Sequence, residues 1–362
     1  GAGVAIGDVN GDDWPDLYFT RADGPNALYL NQGGFRFEPV ADAGGAALPG
    51  QYSTGALLED LDGDGALDLV VTTTGGPAAL FMNDGTGQFS RTASPLQRGR
   101  GGTTMAAADI EGDGDLDLYI GNYKRISLRD SIPSDQLGYD QIVREVDDGT
   151  YEIAPDYRDE YQLNIVGSKV LWLEYGEADR LLINDGTGAF AAAPMTGERF
   201  RTASGAPLAE APRDWALVAR FQDLNGDGVP DLYVCNDFES PDHVWLGDGQ
   251  GGFRAMEVTA LRKTSHSTMS IAFTDVNKDG ALDFFLADML ARTHEDRHRQ
   301  TSMTNPEPKE VGGVDDRMQA MQNTLLLNRG DSTYTEMARM AGVEASGWTW
   351  SSAFVDVDLD GH

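Results

Sequence analysis

Apolar residues gather in short alternating or continuous runs on either side of an acidic loop. Val4 and Ile6, Met105 and Ala107, and Ile271 and Phe273 stand two and four places before the first acid of their loops. The triplets Leu17-Tyr18-Phe19, Leu69-Val70-Val71, Leu118-Tyr119-Ile120, Leu232-Tyr233-Val234 and Phe284-Phe285-Leu286 follow the last. Runs this short, bounded by Gly and Asp, predict strands, so each loop joins two antiparallel strands. A second pattern follows each complete loop: an apolar strand, an Asn/Gly turn and a strand opening on an aromatic residue. It covers Leu28 to Phe35, Leu80 to Phe89, Leu181 to Phe190, Val244 to Phe253 and Leu325 to Tyr334. Asn-Asp-Gly sequences supply the conformations of tight hairpins, so each unit is four strands.

The loops share one spacing: acids or amides at positions 1, 3, 5 and 9. Their residues are Asp8, Asn10, Asp12 and Asp16; Asp60, Asp62, Asp64 and Asp68; Asp109, Glu111, Asp113 and Asp117; Asp223, Asn225, Asp227 and Asp231; Asp275, Asn277, Asp279 and Asp283; and a shorter sixth set, Asp356, Asp358 and Asp360. Side chains at positions 1, 3 and 5 point inward when the backbone curls round a centre. A carbonyl near position 7 adds a ligand and position 9 closes the shell. Hard oxygens in a flexible shell of about six to eight suit Ca²⁺, the cofactor expected at up to six sites, the sixth incomplete. Glycine at position 6 (Gly65, Gly114, Gly228, Gly280, Gly361) permits a positive φ, and Asp13 stands there in the first loop, which is expected to be strained. Glu111 is one methylene longer than its counterparts, so the third site is expected to have altered geometry. An EF-hand is excluded, because position 12 is Phe19, Val71, Ile120, Val234 or Leu286 rather than a bidentate Glu.

The first acids of successive loops are 52 residues apart from Asp8 to Asp60, 49 from Asp60 to Asp109 and 52 from Asp223 to Asp275. That is the period of a propeller blade. Two longer spacings mark insertions between the second and third strands of the third and fifth units, at 123–178 and 289–323. Within the first, Ser134 to Val146 predicts a short capped helix with Leu137, Ile142, Val143 and Val146 on one side, followed by irregular strands up to Tyr175.

The strand, acidic loop and hairpin resemble the FG-GAP or VCBS repeat, the calcium-loop blade of integrin α-subunit propellers. The segments Asn122 to Asp130 and Gly347 to Gly361 are similar to the cartilage acidic protein family, whose members usually carry a C-terminal ASPIC/UnbV domain. The resemblance covers essentially the whole chain. It implies an all-β, seven-bladed propeller, of which residues 1–362 hold five four-strand units and the opening of a sixth, with neither a signal peptide nor the ASPIC/UnbV domain.

Charge agrees with cation binding. There are 27 Lys and Arg against 59 Asp and Glu, a formal charge of -32, and 22 of the acids lie in the six loops. Six Ca²⁺ would leave about -20, so nucleic acid is not expected as a partner, and no run of 18 apolar residues exists to insert in a membrane. Cys235 is the one cysteine and reads as a small buried hydrophobe. Loops of modest affinity fill where calcium is millimolar, which places the chain outside the cell, at its surface or in a periplasm.

Three further motifs have plainer readings. His294-Glu295-Asp296-Arg297-His298 matches H-E-x-x-H, yet its polar flanks and lack of a third ligand fit a solvated helix better than a zinc protease. Arg329-Gly330-Asp331 has the form of an adhesion tripeptide but sits where the repeat places its hairpin turn. Trp348 and Trp350 alternate as in a strand, which predicts blade packing. The expectation is a secreted or cell-surface, calcium-binding scaffold for protein or carbohydrate, not an enzyme. The alternative is a calcium-dependent enzyme acting on acidic polysaccharide, with Lys124, Arg125 and Arg129, or Arg292, Arg297 and Arg299, holding the uronate.

Overall fold

A computed structural model describes residues 3–93, 96–147, 149–166, 169–237, 240–300 and 317–358. The fold is all-β and its repeating element is the four-stranded antiparallel blade of β-propellers. The first blade is Val4–Gly7, Asp16–Phe19, Ala27–Asn31 and Phe37–Pro39, and the second is Ser53–Glu59, Asp68–Thr73, Ala79–Asn83 and Phe89–Arg91. The third is Gly102–Ala108, Asp117–Asn122, Arg180–Asn184 and Phe190–Ala193. These fall in one compact unit. The second unit holds the strands Asp231–Asn236, His243–Gly247 and Phe253–Ala255 of the fourth repeat, and the fifth blade, Ser270–Thr274, Asp283–Ala287, Thr324–Asn328 and Tyr334–Glu336. The fourth repeat opens with Ala216–Gln222, a strand divided between the units. Gly197–Arg201 adds to the second unit by pairing in parallel with Phe253–Ala255.

The second strands are continuous apolar runs because both their faces are covered: every residue of Asp68–Thr73, Asp117–Asn122 and Asp231–Asn236 is buried. Leu28, Leu58, Leu69, Val71 and Phe81 form one core of the first unit, and Leu61, Val70, Leu80, Leu118, Ile120 and Leu182 form a second. In the second unit Tyr233, Phe284 and Tyr334 meet edge to face, with centroids 5.3 and 5.0 Å apart.

The third and fifth blades each pair their second strand directly with a third strand distant in sequence. In the third blade Leu118 pairs with Leu182 across the excursion, and in the fifth Phe284 pairs with Leu326. The expected helix from Ser134 to Val146 is not formed. A 3₁₀ turn at Ser134–Gln136 and one helical turn at Tyr139–Ile142 give way to a hairpin of Val143–Asp147 with Thr150–Ile153. Ile142 and Val143 are still buried, so the apolar pair packs through a turn and a strand instead of one helix face. Residues 301–316 of the second insertion lie outside the described residues. Trp348 and Trp350 are in no strand and are more than half exposed, contrary to the blade packing expected of them. No strand pairs with that segment among the described residues.

One side chain ties successive blades within each unit. Asn83 Nδ2 donates to Leu67 O of its own blade at 3.1 Å and to Val9 O of the preceding one at 2.8 Å. Asn184 repeats this with Leu116 O and Leu61 O, and Asn328 reaches back to Leu224 O at 3.3 Å. The corresponding residue of the fourth repeat is Gly247, where a Cβ would meet Pro230 O at 2.3 Å. Replacing Asn83 by Ala leaves buried carbonyls unpaired on two loops. Urea denaturation is expected to show a loss of about 2–3 kcal/mol, against about 0.5 kcal/mol for an exposed control such as Gln88→Ala.

Candidate metal-binding loops

Each of the five complete loops connects the first and second strands of its repeat, and position 9 opens the second strand. In four of them the pairing is described, and position 9 lies opposite the residue just before position 1: Gly7 with Asp16, Glu59 with Asp68, Ala108 with Asp117, Thr274 with Asp283. The buried position 9 carboxylate closes the loop. Its Oδ2 accepts the position 2 N–H, from Val9, Leu61, Ile110, Leu224 and Val276 at 3.0, 3.1, 3.4, 2.9 and 2.9 Å. Its Oδ1 accepts the N–H of Asn31, Asn83, Asn184, Gly247 and Asn328 at 2.8 to 2.9 Å, fastening the third strand to the loop.

The other acids are held as uniformly. Position 1 takes the position 6 N–H on Oδ2: Asp13 to Asp8 at 2.7 Å, Gly65 to Asp60 at 2.9 Å, Gly114 to Asp109 at 2.9 Å, Gly228 to Asp223 at 2.8 Å and Gly280 to Asp275 at 2.8 Å. Position 5 takes the position 7 N–H, as in Ala66 to Asp64 at 2.8 Å. Where position 3 is Asn, its amide donates to the position 5 carboxylate: Asn10 to Asp12, Asn225 to Asp227 and Asn277 to Asp279. Position 6 has the left-handed backbone expected, φ 66° at Asp13 and 83° to 96° at the described glycines. Position 4 is also left-handed, at Gly11, Gly63, Gly112 and Gly226, and Lys278 adopts φ 60° there without being glycine.

The loop oxygens are therefore oriented by backbone hydrogen bonds. In the second loop Asp60, Asp62 and Asp68 offer oxygens within 4.8 Å of one another, a spacing that fits oxygens sharing one hard cation. The third loop, with Glu111, gathers no such triad among the described residues. Position 9 differs from the expected simple ligand, since both its oxygens already accept backbone hydrogen bonds. Each oxygen keeps a second lone pair, so structural clamp and metal ligand are compatible. Asp356 and Asp358 of the sixth set are described and belong to no strand, while Asp360 and Gly361 lie outside the described residues.

Burial, with the neighbouring loop carboxylates adding repulsion, pushes Asp68, Asp117 and Asp231 up to about 6, against the pull of their backbone hydrogen bonds. Asp16 is raised in the same way. At Asp8 desolvation acts upward too, but four backbone N–H groups outweigh it and hold the carboxyl below its usual value. A metal-free loop at neutral pH thus carries a buried charge next to unneutralised ones.

A second recurrent corner was hidden from sequence reasoning. Asn26 Oδ1 accepts Arg21 N at 2.9 Å while its Nδ2 donates to Tyr18 Oη. Asp179 accepts from Asn122 N and Tyr119 Oη, and Asp242 accepts from Asn236 N at 2.9 Å, Tyr233 Oη at 2.9 Å and Thr268 Oγ1 at 2.8 Å. The signal is an Asn or Asp two places before the apolar core of the third strand, paired with Tyr two places after position 9. Its intervals are scrambled by the insertion in the third blade.

Two of the groups considered for catalysis, Lys124 and Glu295, are held in ion pairs, while His294 and His298 bring their Nε2 atoms to 3.1 Å of each other. Lys124 Nζ is buried and bonded to Glu160 Oε2, Glu174 Oε1 and Tyr175 O, each at 2.8 Å. Glu295, the base an H-E-x-x-H protease would use, pairs with Arg299 on the exposed helix His294–Gln300. Asp331 is exposed at its hairpin, but its carboxylate accepts from Thr333 N and Oγ1.

Blades closed by such loops define a class, and the FG-GAP-like repeat model matches the chain at residues 8–71, 60–120 and 223–286. The chain carries FG-GAP-like repeats. Cartilage acidic protein 1 of Mus musculus is 31% identical over 126 residues, 34% of this chain and 20% of that protein; the Homo sapiens protein is 29% identical over 126 residues, 34% of this chain and 19% of its own length. The chain thus spans about a fifth of the length of the curated relatives it matches. Among solved structures, an Agrocybe aegerita lectin that recognises non-reducing terminal N-acetylglucosamine aligns with TM-score 0.36 and 14% identity over 92% of this chain and 78% of that one. The V. cholerae biofilm matrix protein Bap1 aligns with TM-score 0.35 and 12% identity over 92% of this chain and 38% of that one.

The raised carboxyls set the pH dependence of the metal-stripped protein. Their folded pKa lies above the unfolded value of 3.8, so the folded state keeps protons that the unfolded state releases. Their contribution is fullest below about pH 4 and is lost as pH rises to about 6. Urea midpoints at pH 4.5 and 6.5 are expected to fall for metal-stripped protein and to be restored by calcium at pH 6.5. A midpoint that rises over this interval without metal contradicts the assignment.

Proposed function

We propose that the chain is part of a calcium-stabilised, FG-GAP-type binding scaffold, working outside the cell or in a periplasm and presenting its loops and insertions to a protein or glycan. The observation that carries this reading is the convergence of Asp60, Asp62 and Asp68 in a loop whose acids are all held by backbone N–H groups. In the second loop Asp60, Asp62, Asp64 and Asp68 would hold the ion, and the other four complete loops repeat the set with Asn or Glu at position 3. The ion supplies charge neutralisation: it lets several carboxylates stay ionised side by side and so stiffens the connection on which the next strand is hung. The net charge of -32 makes an anionic polymer a poor partner for the metal-free chain. Support for a binding rather than a catalytic role comes from the repeat class and from the engagement of Lys124 and Glu295 in ion pairs.

Calorimetry of the purified chain in calcium and in EDTA tests the proposal. Each site filled at a hundred times its Kd adds about 2.7 kcal/mol, so a clear rise in Tm is expected with calcium. Asp62→Ala should remove one ion's worth of that gain while leaving metal-free stability within about 1 kcal/mol. Asp68→Ala should cost about 2–4 kcal/mol even without metal, because it strands two buried N–H groups. Superimposable melts in calcium and EDTA would overturn the reading.

A further inference from the structure

The first unit contains a cleft with no assigned role. It has a volume of about 480 Å³ and runs between the outer strands of the second and third blades, lined by Leu80, Met82, Leu96, Leu182 and Phe190, with Arg180 on its wall. Thr92 and Thr187 add hydroxyls to the wall, and Arg180 is its one charged side chain.

Arg180 is the anomaly. Its Nε is buried without a hydrogen-bond partner, and no acid pairs with its guanidinium among the described residues, in a chain with more than two acids for every base. The nearby acids are committed elsewhere. Asp179 precedes it on the strand and therefore faces the opposite side, where it accepts from Tyr119 and Asn122 N. Glu177 accepts Gly101 N at 2.7 Å and Arg125 N at 3.1 Å. The neighbouring charge is another cation: Arg100, whose Nη1 donates to Ala178 O, repels Arg180. A half-buried guanidinium with its Nε unpaired, beside a second one, costs stability, and an anion placed in the cleft would relieve both costs. A carboxylate matches the fork of Nε and Nη donors in pairs, and the apolar lining selects what it carries.

We propose that this cleft binds a small carboxylate with a hydrocarbon body, its charge on Arg180 and its body against Leu80, Met82, Leu182 and Phe190. The cleft borders the second acidic loop, where Gly188 of its lining lies beside Asp62, so the loop is kept filled with calcium in the test below.

Titration of the whole chain in calcium with sodium octanoate, 1-octanol and acetate tests it, read by isothermal calorimetry and by the ¹³C shift of the Met82 methyl. Octanoate is expected to bind at one site and move the Met82 methyl, with octanol and acetate at least tenfold weaker. Arg180→Gln should weaken octanoate by about tenfold or more, the loss of one charge-assisted pair, and Arg180→Lys by less. Octanol binding as tightly as octanoate, a Met82 methyl that does not respond, or Arg180→Gln binding unchanged would each overturn the proposal. The Met82 response is measured on the unaltered chain, so it decides the matter even if the variants fold poorly.

Discussion

The structure depends on one buried carboxylate per repeat. The aspartate at loop position 9 accepts a hydrogen bond from the start of its own loop and another from the third strand, so one side chain sets the loop's diameter and the blade's hairpin together. Only an acceptor with two oxygens can do this at full burial, and an amide in its place would point a donor at one of the two N–H groups. The cost is a desolvated charge close to three more acids or amides, and burial duly raises Asp68, Asp117 and Asp231. A cation would offset the local surplus of negative charge that this clamp creates, the role proposed above for calcium.

Acidic charge is distributed unevenly among the loops. Loops with Asn at position 3 use the amide to tether position 5, whereas the second loop puts Asp62 there and gathers three carboxylates. The five loops thus differ in charge: the third holds five acids, the first and second four each, and the fourth and fifth three each. Lys278 and Asp13 add local strain by holding left-handed backbone where other loops use glycine.

Much of this was legible in the chain. The acid spacing marked all five complete loops, the apolar triplets marked the second strands, and the interval lengths located both insertions between the second and third strands. What stayed hidden depends on contacts far apart in sequence. The hairpin asparagines read as turn residues, yet Asn83 bridges to Val9 and Asn184 to Leu61, a relation that exists only once blades pack. The Tyr233–Asp242 corner and its relatives escaped because an insertion separates Tyr119 from Asp179. Ser134 to Val146 was misread as one helix because Ile142 and Val143 are apolar neighbours in either structure, and pairing with Thr150–Ile153 decided for a strand. Position 9 was read as a ligand alone, since spacing cannot reveal that both oxygens also hold backbone.

Diffraction from crystals grown in calcium, with anomalous differences recorded at long wavelength, would test most directly whether a cation balances the clamp. The account predicts an anomalous peak inside each complete loop, strongest in the second, within about 2.3–2.6 Å of the carboxylate oxygens, with the position 9 hydrogen bonds retained. Loops with no peak and the same carboxylate positions would contradict it, because the clustered charges would then be stable without a counter-ion.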